Sequence, residues 1–105
     1  MSETTPGLLG FQRKHLRKLA HGLDPVVYVG EAGISAAVVA ALDVALRDHE
    51  LVKVKLRQPT DKKAMAATLA ERGGAELCGL VGHTVILFRP DSENPRIELP
   101  ARPAD

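Results

Sequence analysis

In Leu51-Val52-Lys53-Val54-Lys55-Leu56-Arg57, aliphatic and basic residues alternate from Val52 onward. A side-chain period of two sends Val52, Val54 and Leu56 one way and Lys53, Lys55 and Arg57 the other. The stretch reads as a β-strand with one side in a core and one wet, basic side. What precedes it settles how it is used. Val26-Val27-Tyr28-Val29 is a second β-rich run, closed by Gly30. Both faces of that run are apolar, which predicts an interior strand. Between the two runs Val38, Leu42, Ala45 and Leu46 recur at helical spacing. Ser35 is a good N-cap for that helix, with Ile34 and Val39 placed as a hydrophobic staple. Strand-helix-strand units favour parallel pairing with a right-handed crossover.

Downstream, Pro59-Thr60-Asp61 opens a third helix with Met65 and Leu69 facing inward, and Gly73-Gly74 ends it. Residues 75–81 and 83–89 form two further strands joined at Gly82 as a tight hairpin. Upstream, residues 8–23 read as a first helix. Leu9, Leu16, Leu19, Ala20 and Leu23 share one stripe, while Lys14, Arg17, Lys18 and His21 share the opposite arc at about 100° per residue. Asp24-Pro25 stops it, because the proline ring disfavours a helical residue before it.

The order is therefore α-β-α-β-α-β-β, an α/β fold in a single domain with a mixed four-stranded sheet. Helices two and three should cover one face. Helix one should cover part of the other, leaving Lys53, Lys55 and Arg57 open beside it. The expected organisation is a disordered lead over residues 1–7, a domain over 8–100 and a tail over 101–105. The proline- and charge-rich stretch from residue 91 onward reads as tail-like, with Ile97 and Leu99 placed to dock on the body.

With 105 residues, 45% of them apolar, the chain suits one core. That core must be aliphatic, because Phe11, Tyr28 and Phe88 are the only aromatic residues. The single cysteine, Cys78, excludes an internal disulfide framework and suits a reducing cytosol. Residues 1–7 do not resemble a signal peptide, and no apolar run approaches the roughly 20 residues of a membrane span. A soluble, monomeric bacterial protein of the cytoplasm, without cofactor or membrane partner, is expected.

Charge points to a partner. The formal net charge is only +1, yet Arg13, Lys14, Arg17 and Lys18 have no acidic neighbour between Glu3 and Asp24. Solvated helix faces usually mix signs to gain ion pairs, so an acid-free basic face suits a phosphate-rich ligand. Lys53, Lys55 and Arg57 repel one another on one strand face unless an anion lies over them; taken alone, lysines guarding an edge strand explain them equally well, and the basic helix beside them favours the anion. Gly30-Glu31-Ala32-Gly33 fits a strand-to-helix turn that needs permissive backbone. It also fits close approach by a nucleic-acid backbone near the free amides of a helix N-terminus. Gly79-Leu80-Val81-Gly82, in an apolar hairpin, reads as structural. Phe11 lies near the basic arc, where it either stacks an unpaired base or folds over the N-terminal segment.

Catalysis finds little support. His15, His21, His49 and His83 lack metal-ligand spacing with one another or with Cys78. No nucleophile stands in an activating motif. His83 reads as a turn residue or a nucleic-acid contact, Cys78 as core, and Asp43, Asp48 and Glu50 as a solvated face.

Several stretches together resemble the CRM domain family (chloroplast RNA splicing and ribosome maturation) in its stand-alone bacterial YhbY-like form. They are Gln12-Arg13 through Leu19-Ala20-His21, Pro25-Val26-Val27 with Val29-Gly30 and Gly33, Glu50-Leu51-Val52-Lys53-Val54, Gly82-His83-Thr84, and Glu93-Asn94-Pro95. The resemblance covers about residues 8–100. It implies a fold like the C-terminal domain of bacterial translation initiation factor three, and RNA binding through a basic surface with a KH-like Gly-x-x-Gly loop at Gly30–Gly33. It further implies association with precursors of the large ribosomal subunit. Glu31 stands where the family often has lysine, and Phe11 where a basic residue is common. The expected function is non-catalytic RNA binding in ribosome assembly, through Arg13, Lys14, Arg17, Lys18, His21, Gly30, Glu31, Ala32, Gly33, Lys53, Lys55 and Arg57. The alternative is a ribosome-associated protein-interaction module without direct RNA recognition.

Overall fold

The alternating strand forms as β2 (Leu51–Leu56), with Val52, Val54 and Leu56 at most 2% exposed. Around it the computed structural model places α1 (Gly10–Ala20), β1 (Val27–Val29), α2 (Ala36–His49), α3 (Lys62–Gly73), β3 (Glu76–Val81) and β4 (Thr84–Phe88). The structure describes residues 8–100. The expected lead over 1–7 and tail over 101–105 lie outside the described residues.

The sheet order is β1-β2-β4-β3, with β1 parallel to β2 and the other neighbours antiparallel. The sheet is thus mixed, as the alternation of elements requires. Helices α2 and α3 bury Leu42, Ala45, Leu46, Ala66 and Leu69 against Val27, Val29, Val52, Val54, Val85 and Leu87 on one face. On the other face Leu16 and Ala20 of α1 pack with Leu51, Cys78, Ile86 and Phe88. Each fully buried aliphatic side chain contributes about 1.5–3 kcal/mol relative to exposure, so the two clusters supply the main favourable term.

Local signals explain the element ends. The Ser35 hydroxyl accepts from the Val38 amide at 3.2 Å, and the Asp61 carboxylate accepts from the Ala64 amide at 3.1 Å, capping α2 and α3. Gly74 closes α3 in the left-handed conformation at φ 61°. Gly82, at φ 59°, begins the two-residue turn that joins the paired residues Val81 and Thr84.

Three expectations need correction. The run containing Val26 to Val29 is an edge strand, not an interior one: among the described strands, β1 pairs only with β2. Its inward residues are Val27 and Val29, whereas Val26 and Tyr28 are 49% and 53% exposed. Helix α1 is shorter than residues 8–23. After Ala20 the chain tightens, with the His21 amide bonded to the Lys18 carbonyl and the Leu23 amide to that of Ala20. Leu16 and Ala20 alone are buried on it, and Leu9, Leu19 and Leu23 stay partly open.

The third correction is Glu50, which is 1% exposed and not on a solvated face. Its carboxylate accepts from the amides of Asp91, Arg96 and Ile97 at 2.7–3.2 Å. Burial alone would raise its pKa. The three amides and the Arg96 charge outweigh that and hold the carboxyl below its ordinary value. This buried carboxylate organises residues 91–97 as a strap, and Ile97 and Leu99 pack on the α1-side core as expected.

Candidate nucleic-acid interface

Period-two geometry puts Leu51, Lys53, Lys55 and Arg57 on the sheet face that α1 covers in part. Leu51 is buried under α1. Lys53 sits at the edge of the covered area, half-buried, and donates to the Leu23 carbonyl at 2.9 Å. Lys55 and Arg57 are exposed beyond it. In register, Lys53 lies opposite Ile86, and Lys55 lies between Thr84 on β4 and Tyr28 on β1.

Lys14, Arg17, Lys18 and His21 line the near side of a groove of about 600 Å³. Lys53 borders its far side, and Val81, Thr84 and Ile86 complete the lining. Among the described residues, no carboxylate lines this groove. The helix cations and the strand cations therefore face one surface.

Arg17 is anchored within it. Nη1 donates to the Cys78 carbonyl at 2.8 Å, and the stem crosses Gly79 so closely that an added Cβ there would lie 2.7 Å from Cδ. Gly79 serves this close approach, which gives the structural reading of the hairpin glycines its physical content. Arg13 is half-buried and does not line the groove. Burial pushes the Cys78 thiol up to about 11 despite the nearby charges of Arg13 and Arg17, so it is a poor nucleophile.

The Gly30–Gly33 segment forms a turn in which the Gly33 amide bonds to the Gly30 carbonyl at 3.0 Å. Glu31 and Ala32 are exposed at its tip. The two glycines differ in what they require. Gly33 has φ 77°, a conformation that other residues adopt only with strain. Gly30 has no positive φ, and an added Cβ there meets no described atom within 4 Å. The fold accounts for Gly33 and leaves Gly30 unexplained.

A second concavity of about 560 Å³ joins this turn to Lys55, Arg57, Gln58 and His83. Gln58 takes a left-handed φ of 48° beside it. Lys55, which lines the second concavity, pairs with Thr84, which lines the first, so basic groups run from α1 across β2 to the glycine turn. Glu31 is the one acid among the described residues that line the second concavity.

Other arginines are engaged elsewhere. Arg89 donates to Asp43 and to the Gly73 carbonyl, both at 2.9 Å, tying β4 to α2 and α3. With Arg47 it holds the Asp43 carboxyl below its ordinary value. Arg96 donates to the Asp48 and Arg47 carbonyls at the end of α2.

Sequence reasoning missed Tyr28, because an interior strand would hide its ring. Valines on either side of a lone tyrosine were the available signal for a strand with one wet face. Phe11, the aromatic residue singled out from the sequence, is half-buried. Among the described residues, no group of three or more His, Cys, Asp and Glu side chains is placed to hold a metal ion. No helix among them is long and apolar enough to cross a membrane.

Comparison with known proteins agrees with this architecture. The chain is 35% identical over 95 residues to the "Probable RNA-binding protein YqeI" of Bacillus subtilis, covering 89% of this chain and 99% of that one. It is 37% identical over 94 residues to an "RNA-binding protein" of Haemophilus influenzae, covering 87% and 93%. The solution structure of the hypothetical protein SAV1595 from Staphylococcus aureus superposes with a TM-score of 0.77 at 38% identity, covering 89% of this chain and 99% of that one. The sequence profile of the CRS1/YhbY (CRM) domain matches residues 8–89, from the start of the described chain through the end of β4. With α1, the glycine turn and all four strands inside that match, the chain belongs to the CRS1/YhbY (CRM) domain family.

Proposed function

We propose that this protein is a non-catalytic RNA-binding protein that associates with precursors of the large ribosomal subunit and assists their assembly. One observation carries the RNA reading: the acid-free groove in which cations of α1 face Lys53 of β2, with Lys55 continuing on the same sheet face. Phosphates of a folded RNA lie over a broad front, and a surface with cations on two elements meets them at several points. Lys14, Arg17, Lys18, Lys53, Lys55 and Arg57 supply charge, His21 adds a hydrogen-bonding ring beside them, and the turn at Gly30 lets a sugar-phosphate backbone approach closely. Arg13, away from the groove, adds to the local field. The relatives named above carry names of RNA-binding proteins, which supports the same reading.

The ribosomal partner rests on the family resemblance, and cells test it. Crosslinking followed by sequencing of the attached RNA should recover large-subunit ribosomal RNA, and gradient sedimentation should place the protein with precursor particles. Recovery of crosslinks spread evenly over cellular RNA would exclude the ribosomal assignment while leaving RNA binding intact.

A further inference from the structure

We propose that Tyr28 is a stacking platform for an unpaired RNA base, so that the basic face takes a single-stranded or looped-out nucleotide beside its phosphate contacts. This rests on the RNA-binding reading and names the kind of RNA that the site selects.

The chain has one tyrosine, two phenylalanines and no tryptophan. Phe88 is buried at 1% exposure, whereas Tyr28 is left 53% exposed between Val27 and Val29, which are 4% and 0% exposed. The ring is on the same sheet face as the basic residues of β2, because its register partner is Lys55. The Arg57 guanidinium lies 5.9 Å from the ring centre. Gly30, the glycine that the fold does not require, follows two residues later.

A π-face on an open sheet beside cations suits an unstacked base whose phosphate is neutralised next to it. A fully paired duplex hides the faces of its bases and cannot use the ring. Two strand spacings of about 4.8 Å separate Tyr28 from Thr84 at the groove, so a short single-stranded segment reaches from one to the other. The competing role for the ring is to hold Arg57 by a cation–π contact. That role predicts a change in stability alone and no preference among RNAs.

The composition supplies the probe. With no tryptophan and one tyrosine, intrinsic emission near the tyrosine band reports Tyr28 alone. The intact chain is titrated at low salt with single-stranded RNA of mixed sequence lacking self-complementarity, and with a fully paired RNA duplex of equal length. Tyrosine emission and the anisotropy of a label on the RNA are followed together. Single-stranded RNA is expected to quench the emission and the duplex to leave it unchanged. Tyr28→Ala should lower affinity for the single strand about tenfold while sparing the duplex, and Tyr28→Phe should retain both affinities. The salt slope should not change in either variant, because no charge is removed. Single-strand binding seen by anisotropy with unaltered tyrosine emission would overturn the proposal. So would an equal loss for both RNAs in a folded Tyr28→Ala. Binding of neither RNA would remove the broader reading and this inference together, an outcome the anisotropy identifies by itself.

Discussion

Arg17 reaches from α1 to the sheet, where its Nη1 donates to the Cys78 carbonyl oxygen at 2.8 Å. The contact exists because Gly79 has no side chain: a Cβ there would stand 2.7 Å from Arg17 Cδ. Gly79→Ala should displace the arginine stem, cost about 1 kcal/mol by overpacking, and weaken RNA binding with the fold retained. Thermal melting and a binding titration check the two effects separately. Full affinity in this variant would show that the anchored position of Arg17 is not used.

The two glycines of the turn should separate cleanly. Gly33→Ala forces a non-glycine residue to φ 77° and should lower stability by about 1 kcal/mol. Gly30→Gln meets open space and should leave stability within about 0.5 kcal/mol of native. If RNA backbone approaches Gly30, that same variant loses affinity several-fold. Unchanged affinity in folded Gly30→Gln removes the turn from the interface.

Glu31 opposes phosphate in the second concavity. Glu31→Lys should tighten RNA binding at low salt and steepen the salt slope by about 0.7–0.9 if the new cation contacts one phosphate. Titrations at several salt concentrations measure both.

Glu50 predicts acid sensitivity of the strap. Its folded-state pKa lies below the ordinary value of 4.5. Its contribution to stability is therefore complete above that value and is lost as pH falls through the lower folded pKa. Amides of residues 91, 96 and 97 should lose protection from hydrogen exchange in that acidic range before the core strands do. Glu50→Gln should cost about 1–3 kcal/mol, because a neutral side chain serves the buried amides less well, and it should flatten this pH dependence.

Much of this was legible because it is local. The alternation at Val52, Val54 and Leu56, the cap at Ser35, the helix opening at Pro59-Thr60-Asp61, and the glycines at 74 and 82 act through near neighbours. The face shared by α1 and β2 was also readable, since period two orients Lys53 and Lys55 once the core side is known. What escaped depends on contacts distant in sequence. Glu50 is buried only because residues 91–97 fold over it, more than forty positions away. The edge position of β1 follows from β3 pairing with β4 and not with the far side of β1, which no pattern within Val27–Val29 encodes. Tyr28 was hidden by the same error. Arg17's anchor depends on Gly79, far along the chain, a pairing invisible until α1 is laid on β3.

The central claim is that α1 and β2 present one RNA-binding surface. RNA affinity should be measured across a range of salt concentrations for the native chain, Lys18→Gln, Lys55→Gln and the double variant. A steep native slope is expected, with a reduction of about 0.7–0.9 in each single variant and both reductions together in the double variant. An unchanged slope in either single variant, with circular dichroism showing an intact fold, would contradict it.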